Sequence, residues 1–203
     1  IAEIKPNVIV NAAAYTAVDK SESESDLAMA INATAPKAIA VAAQNIGATV
    51  LHISTDYVFN GRNHTPYEER DPTDPLGVYG KSKLLGEIGV RENCDRHLIL
   101  RTAWVYGSRG HGNFVKTMLR LGSERTELKV VTDQIGSPSW SYDIAIAITQ
   151  LLPKSWADEN INGIYHFTNS GVASWYDLAL ATFNEAKQLG FPVKVEQVIH
   201  ITT

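Results

Sequence analysis

The 203-residue sequence has little cysteine, no long apolar run and no strong charge of either sign. Its single cysteine, Cys94, excludes a disulfide within the chain and favours a reducing compartment, so we expect a cytoplasmic location. No apolar run approaches the roughly 18 residues that a membrane-spanning helix needs, so we expect no contact with a membrane. A net charge of −4 argues against nucleic acid as the main partner.

Short apolar, β-branched runs alternate with segments that have helical spacing. The runs are typical of buried parallel strands, because they lack the alternation of a half-exposed strand. The predicted strands are 8–10, 49–54, 97–102, 128–131, 164–167 and 195–201, and the predicted helices are 21–30, 32–46, 76–92, 114–121, 142–152 and 176–189. Because parallel strands need crossover connections, the alternation predicts a doubly wound α/β fold with a parallel sheet. Ligands bind such sheets at the carboxyl ends of the strands.

The pattern Tyr79-Gly80-Lys81-Ser82-Lys83 carries the strongest chemical signal. Tyr79 and Lys83 are four residues apart, so they share one face of the predicted helix. A phenol has a reference pKa of about 10, and a nearby ammonium would lower it and suit the phenol to proton transfer. The alternative without a catalytic role is a surface helix with an isolated tyrosine and a solvated lysine, because such a short pattern is frequent by chance.

Thr55 strengthens the functional interpretation of Tyr79 and Lys83, because it directly follows the predicted strand that ends at Ser54. A hydroxyl at the carboxyl end of a strand can donate to a carbonyl oxygen on which negative charge develops. The alternative for Thr55 is a turn residue or a helix cap. A strand-end hydroxyl followed by Tyr-x-x-x-Lys on the next helix is much rarer by chance than either feature alone.

Five segments in this order resemble the extended short-chain dehydrogenase/reductases: 10–20 (VNAAAYTAVDK), 54–61 (STDYVFNG), 75–83 (PLGVYGKSK), 100–107 (LRTAWVYG) and 133–138 (DQIGSP). Together they extend over nearly the whole chain. The resemblance implies a Rossmann-like dinucleotide-binding domain at 1–107 and 139–168. It also implies a small, mainly C-terminal substrate domain at 108–138 and 169–203.

The resemblance further implies an enzyme that uses NADPH, or NADH, to reduce the C4 ketone of dTDP-4-dehydro-L-rhamnose to dTDP-L-rhamnose. Tyr79 would be the proton donor to the keto oxygen, and Thr55 would bind the same oxygen. Lys83 would hold the nicotinamide ribose and lower the Tyr79 pKa. The remaining implied residues are Ala13, Ala14 and Thr16 for the cofactor, and Asp56, Tyr57, Trp104 and Asn113 for the substrate. No metal site is expected, since no cluster has metal-ligand spacing.

The sequence leaves two interpretations open for several residues. Asn32 matches an asparagine that organises a proton relay in relatives, but a packed or capping residue is an equal alternative. Asn113 and Phe114 match the place where relatives hold the diphosphate, or else form a helix cap followed by a core residue. Three tryptophans are predicted in the core or at an interface: Trp140, Trp156 and Trp175.

The glycine-rich loop that cradles the pyrophosphate in this family is absent from the sequence. We therefore expect the chain to begin at the third strand of the family fold and to end early. We also expect residues 1–203 alone to bind a dinucleotide weakly. The residue that selects NADPH or NADH would lie in the missing part, and NADPH is the more usual cofactor in the family.

Two other functions stay open. A nucleotide-sugar epimerase or dehydratase would share Thr55, Tyr79 and Lys83, although Asp56-Tyr57 replaces the acid pair that a dehydratase uses. A non-catalytic regulatory subunit is the other alternative, because a regulatory partner of methionine adenosyltransferase resembles the same subfamily. The expected partner is a dTDP-linked sugar, and a homodimer is one option for assembly.

Overall fold

A computed structural model of the chain describes residues 1–110, 112–158 and 161–203. The strands are β1 (Val8–Asn11), β2 (Thr49–Thr55), β3 (His97–Thr102), β4 (Val105–Tyr106), β5 (Glu127–Val131), β6 (Ile135–Gly136), β7 (Ser139–Trp140), β8 (Gly163–His166), β9 (Ala173–Ser174) and β10 (Gln197–Ile201). The α-helices are α1 (Val18–Ser21), α2 (Ser25–Met29), α3 (Ala35–Gln44), α4 (Val78–Asn93), α5 (Phe114–Glu124), α6 (Ser141–Ala157) and α7 (Trp175–Gln188).

The first part of the molecule contains a four-stranded sheet in the order β1-β2-β3-β8. Each pair of neighbouring strands in this sheet is parallel. The central strands β2 and β3 are buried along almost their whole length, as the apolar runs predicted. The predicted α/β fold with a parallel sheet is therefore confirmed. The carboxyl ends of three neighbouring strands bring Asn11, Thr55 and Thr102 to one edge of the sheet.

A π-helical turn, Ala30–Thr34, precedes α3 and differs from the single helix predicted over 32–46. The hydrophobic spacing cannot distinguish the wider turn from an α-helix over so few residues. Helix α3 itself has Pro36 at its second position, directly after the π-helical turn. Gly47 follows with φ +69, which is the left-handed conformation that ends helices.

The described residues form two compact units. The first contains residues 1–102 and 149–167, and the second contains residues 103–148 and 168–203. The second unit has a parallel pair, β5 with β10, whose apolar core lies against α5 and α7. The assignment of one part to a dinucleotide and the other to a sugar nucleotide stays a prediction.

The two-residue strands β4, β6, β7 and β9 were not predicted, because such short segments carry no periodicity. Helix α7 starts one residue before the predicted boundary, with a capping box of Ser174 and Asp177. Across residues 1–110, 112–158 and 161–203, none of the helices combines the length and the apolar character of a membrane span.

Candidate active site

Thr55 ends β2 and caps the short 3₁₀ turn that follows, Asp56–Val58. The backbone N–H of Tyr57 donates to Thr55 Oγ1 at 3.3 Å, and Thr55 Oγ1 lies 3.0 Å from Asp56 Oδ1. The capping role that the sequence left open is therefore present. The same arrangement holds the Thr55 hydroxyl at the carboxyl end of the strand, which is where ligands bind parallel sheets.

Helix α4 brings Tyr79 against this turn. A Cβ atom added to Gly80 would lie 2.2 Å from the backbone oxygen of Tyr57, so the glycine permits the close approach of helix and turn. The rings of Tyr57 and Tyr79 pack edge to face with their centroids 5.4 Å apart. The side chain of Thr55 also influences the ionisation of the Tyr79 phenol. The structure thus brings these three predicted residues together.

The Tyr79 phenol has a raised pKa, which corrects the prediction that this pKa is lowered. Burial raises it to about 12, because the surroundings solvate a phenolate poorly. The polar side chain of Thr55 lowers this pKa, and the neighbouring Asp56 raises it further. The phenol therefore stays protonated at neutral pH, which is the form that a proton donor needs.

Lys83 is buried one turn further along α4, with 2% of its surface exposed. Its Nζ donates to the backbone oxygen of Ile53 at 2.6 Å, and this contact uses one of the three N–H donors of an ammonium. Burial lowers the Lys83 pKa to about 8, while the carboxylate of Glu87 opposes that shift. At neutral pH the side chain is still mostly the ammonium that can donate to a ligand hydroxyl.

The segment that follows β1 contains the three residues predicted to line a cofactor. Ala13 and Thr16 are exposed and Ala14 is half-buried, in a stretch without regular secondary structure. Asn11 Oδ1 accepts from the Ala13 N–H at 3.3 Å and fixes the start of this stretch. Because these side chains are small, a bound ribose or phosphate can approach the backbone. The residues present therefore fit a dinucleotide at this strand end.

Asp56 and Tyr57 continue the same surface. Tyr57 is 44% exposed, so its ring is open to a ligand. Burial raises the pKa of the Asp56 carboxyl, and hydrogen bonds from Thr55 and from the backbone oppose that shift. Their predicted contact with the sugar stays a prediction.

Trp104 and Asn113 belong to the second unit. Trp104 has φ +49, a left-handed conformation that non-glycine residues rarely adopt, and its ring stacks on Trp175 at 3.5 Å. Gly136 packs directly on the Trp104 ring, since an added Cβ would lie 2.5 Å from it. Asn113 caps α5 by accepting from the Lys116 N–H at 3.0 Å.

Asn32 and His52 are completely buried. Asn32 donates to the Tyr15 backbone oxygen and to Ser82 Oγ, both at 3.0 Å, and accepts from the Tyr15 N–H at 2.8 Å. Both amide N–H donors are engaged within the protein, which supports the packing interpretation of this side chain. His52 is a packed histidine, with its Nδ1 3.0 Å from Asn11 Nδ2.

Sequence reasoning missed two features. Trp175 packs against the core of the second unit, as predicted, but its stacking on Trp104 was missed, because the two residues are 71 positions apart. The ion pair of Glu87 with Arg101 was also missed, although Glu87 follows Lys83 by four positions and so shares its helix face. Trp140 is 42% exposed and is no core residue, while the side chain of Trp156 lies outside the described residues.

The first unit has a parallel α/β sheet, a hydroxyl at the end of one strand, and tyrosine and lysine one turn apart on the next helix. This combination defines the class as a short-chain dehydrogenase/reductase. The chain also matches the family described as "RmlD substrate binding domain" over residues 1–202. The chain belongs to that family.

Curated and solved relatives agree with this assignment. The dTDP-4-dehydrorhamnose reductase of Escherichia coli K12 is 46% identical over 203 residues, which are 100% of this chain and 68% of the relative. A dTDP-4-dehydrorhamnose reductase of Bacillus anthracis, solved in complex with NADP, is 44% identical with a TM-score of 0.91 and the same coverage, 100% and 68%. A dTDP-glucose 4,6-dehydratase of Streptomyces venezuelae has a TM-score of 0.79 at 20% identity, with 97% and 61% covered, which shows the fold alone.

Proposed function

We propose that the protein reduces the C4 ketone of dTDP-4-dehydro-L-rhamnose to dTDP-L-rhamnose with NADPH, and that Tyr79 donates the proton. The observation that carries the proposal is the protonated Tyr79 phenol beside the Thr55 hydroxyl at the end of β2. Relatives that are 46% and 44% identical over the whole chain are dTDP-4-dehydrorhamnose reductases, which supports the choice of substrate.

Two hydroxyls of the protein act on the ketone oxygen. As C4 is reduced, negative charge develops on that oxygen, and hydrogen bonds from Thr55 and Tyr79 stabilise it. Tyr79 then transfers its proton to the oxygen, which completes the alcohol. A phenol with a pKa of about 12 gives up its proton only to a strong base, and the developing alkoxide is one.

Lys83 and the segment after β1 would hold the cofactor. The fit rests on the small side chains of Ala13, Ala14 and Thr16 and on the ammonium of Lys83, which would bind the nicotinamide ribose. NADPH, when bound, supplies the hydride. The choice of NADPH over NADH is supported by the Bacillus anthracis relative, which was solved with NADP.

Four residues are proposed to bind the sugar nucleotide. Asp56 and Tyr57 would contact the sugar, Trp104 would cover it, and Asn113 would bind the diphosphate at the start of α5. The backbone N–H groups at the start of a helix favour such an anion. A homodimer and a cytoplasmic location stay predictions alongside this proposal.

The deciding experiment is an assay of the full-length protein with chemically defined dTDP-4-dehydro-L-rhamnose and NADPH. We expect one NADPH to be oxidised for each dTDP-L-rhamnose formed, with the product identified by NMR. An epimerase or a dehydratase would convert its substrate without consuming external NADPH. If no dTDP-linked 4-keto sugar is reduced and a second protein co-purifies, the regulatory alternative is supported instead.

A further inference from the structure

A buried carboxylate on α4 binds a buried guanidinium on β3 through two contacts. Arg101 Nε donates to Glu87 Oε1 at 2.9 Å, and Arg101 Nη2 donates to Glu87 Oε2 at 2.7 Å. The Glu87 and Arg101 side chains are 0% and 4% exposed. The proposed reaction uses neither residue, and a buried ion pair is by itself weak evidence for a stabilising role. Its other contacts indicate a different role.

Glu87 joins α4 to the end of β2. Its carboxylate accepts a hydrogen bond from Ser54 Oγ at 2.5 Å, and Ser54 directly precedes Thr55. One helical turn earlier, Lys83 Nζ donates to the backbone oxygen of Ile53. Two adjacent residues of β2 therefore form hydrogen bonds with two side chains of α4 that are four positions apart. These hydrogen bonds set the position of the helix along the strand.

The third partner extends this connection to the neighbouring strand. Arg101 is the register partner of Ser54 in the parallel pair of β2 and β3. Since Glu87 contacts both of these residues, it fixes the depth at which α4 lies over the two strands. A small shift of α4 would change the separation between the Lys83 ammonium and the Thr55 hydroxyl.

Glu87 also influences the charge of Lys83. Its carboxylate favours the ammonium and opposes the effect of burial on the Lys83 pKa. From β2, the titratable group that faces Lys83 is His52, whose pKa burial lowers to about 3. His52 is therefore neutral at pH 7, and the charge of Glu87 is the main support for the Lys83 ammonium within the described residues.

We propose that Glu87, held by Arg101 and Ser54, is a positioning residue that fixes the Lys83 ammonium relative to the Thr55 hydroxyl. Its effect on turnover rests on the proposed function. The effect of Glu87 on Lys83 can be measured without any substrate. The positioning role of Glu87 and the proposed reductase function can therefore fail separately.

The test is Glu87→Gln in the full-length protein. We expect kcat for reduction of the 4-keto sugar to fall about tenfold to hundredfold, as small displacements of reacting groups do, with the Kd for dTDP unchanged. The pH titration of Lys83, followed by the Cε chemical shift in lysine-labelled protein, should move to lower pH. The Lys83 pKa should fall because the neutral amide of glutamine no longer favours the ammonium. The alkaline limb of the pH profile of kcat should also move to lower pH.

A second variant separates positioning from folding. Glu87→Gln leaves the buried Arg101 without its counter-charge, which is strongly destabilising, whereas Glu87→Leu/Arg101→Leu removes both charges. We expect the double variant to regain most of the thermal midpoint but to keep the low kcat and the shifted Lys83 titration. Glu124→Gln is the matched control, because Glu124 forms an exposed ion pair with Arg120 at 3.1 Å on α5.

Glu124→Gln should leave both kcat and the Lys83 titration unchanged. The proposal is overturned if either folded Glu87 variant has the kcat and the Lys83 titration of the wild type. If the wild type reduces no 4-keto sugar, the proposed function fails, and the Lys83 titration alone still decides whether Glu87 acts on Lys83.

Discussion

At the scale of single residues, the site depends on how burial changes two ionisable groups in opposite directions. The Tyr79 phenol becomes a weaker acid, and the Lys83 ammonium becomes a stronger one. Both shifts have the same cause, because burial disfavours the charged form of each group. The spacing of the two residues was evident from the sequence, but the sign of the Tyr79 shift was not, since it depends on what surrounds the ring.

Replacing the proposed proton donor tests the site most directly. Tyr79→Phe should lower the turnover of the reductase about a hundredfold or more, which is the usual contribution of a general acid. The measurement is steady-state NADPH oxidation by the full-length protein. Tyr142→Phe is the matched control, because Tyr142 is 58% exposed and should tolerate loss of its hydroxyl. Turnover near the wild-type value in Tyr79→Phe would rule out the role.

The Lys83 pKa predicts a specific dependence of stability on pH. Between pH 8 and 10.5 the unfolded chain keeps the lysine proton and the folded chain has lost it, so stability rises with pH in this window. Below pH 8 the penalty for burying the charge is fully present. Relative to Lys83→Met, the wild type should gain on the order of 3 kcal/mol across the window.

Urea denaturation of wild type and Lys83→Met at pH 7.5 and pH 10 measures this difference. If wild type and Lys83→Met differ in unfolding free energy by the same amount at both pH values, burial does not lower the Lys83 pKa. The enzyme activity of Lys83→Met should be lost at both pH values, because the ammonium is absent.

At the scale of elements, α4 is held close to its neighbours by glycines. A Cβ added to Gly86 would lie 2.1 Å from the backbone oxygen of Asn32, in the π-helical turn before α3. Such a distance is far below van der Waals contact, so the helix and the turn would have to separate. The sequence predicted a helix in each place, but not that the two backbones touch.

Gly86→Ala should therefore destabilise the protein by about 1–3 kcal/mol, although alanine is the better helix former. The measurement is the midpoint and slope of urea unfolding. Gly112→Ala is the control, because a Cβ there meets no described atom within 4 Å and should leave the midpoint nearly unchanged. A stabilised Gly86→Ala protein would show that helix propensity outweighs the close contact.

The boundaries of the elements show what periodicity can and cannot determine. Strand β3 was predicted at its observed bounds, because its apolar centre, residues 98–100, is flanked by polar residues on both sides. The π-helical turn could not be predicted, because apolar spacing over five residues does not distinguish it from an α-helix. The two-residue strands could not be predicted, because each depends on hydrogen bonds to residues distant in sequence. The left-handed backbone of Trp104 could not be predicted either, since it is held by packing against Trp175 and Gly136.

At the scale of the whole molecule, the residues proposed for the cofactor and the residue proposed for the diphosphate belong to different compact units. The residues proposed to bind the cofactor lie in the first unit, and Asn113 lies in the second. A substitution of Asn113 should therefore affect the sugar nucleotide without affecting NADP. This separation allows the two binding events to be tested independently.

Asn113→Ala should weaken binding of dTDP about tenfold, because a hydrogen bond to a charged group is lost, and leave NADP binding unchanged. Calorimetry with each ligand in turn measures both. Ser174→Ala is the matched control, since Ser174 caps α7 and its loss has a similar effect on stability, about 1 kcal/mol. Equal losses of dTDP affinity in both variants would show that only the cap is involved.

The sequence by itself determined the parallel α/β fold and the pairing of Tyr79 with Lys83, because both follow from spacing along the chain. It also determined the family, because five ordered segments carry the resemblance. The tertiary structure decided the ionisation of the site and the connection through Glu87, Arg101 and Ser54. These depend on burial and on contacts between residues far apart in sequence, which a local pattern does not specify.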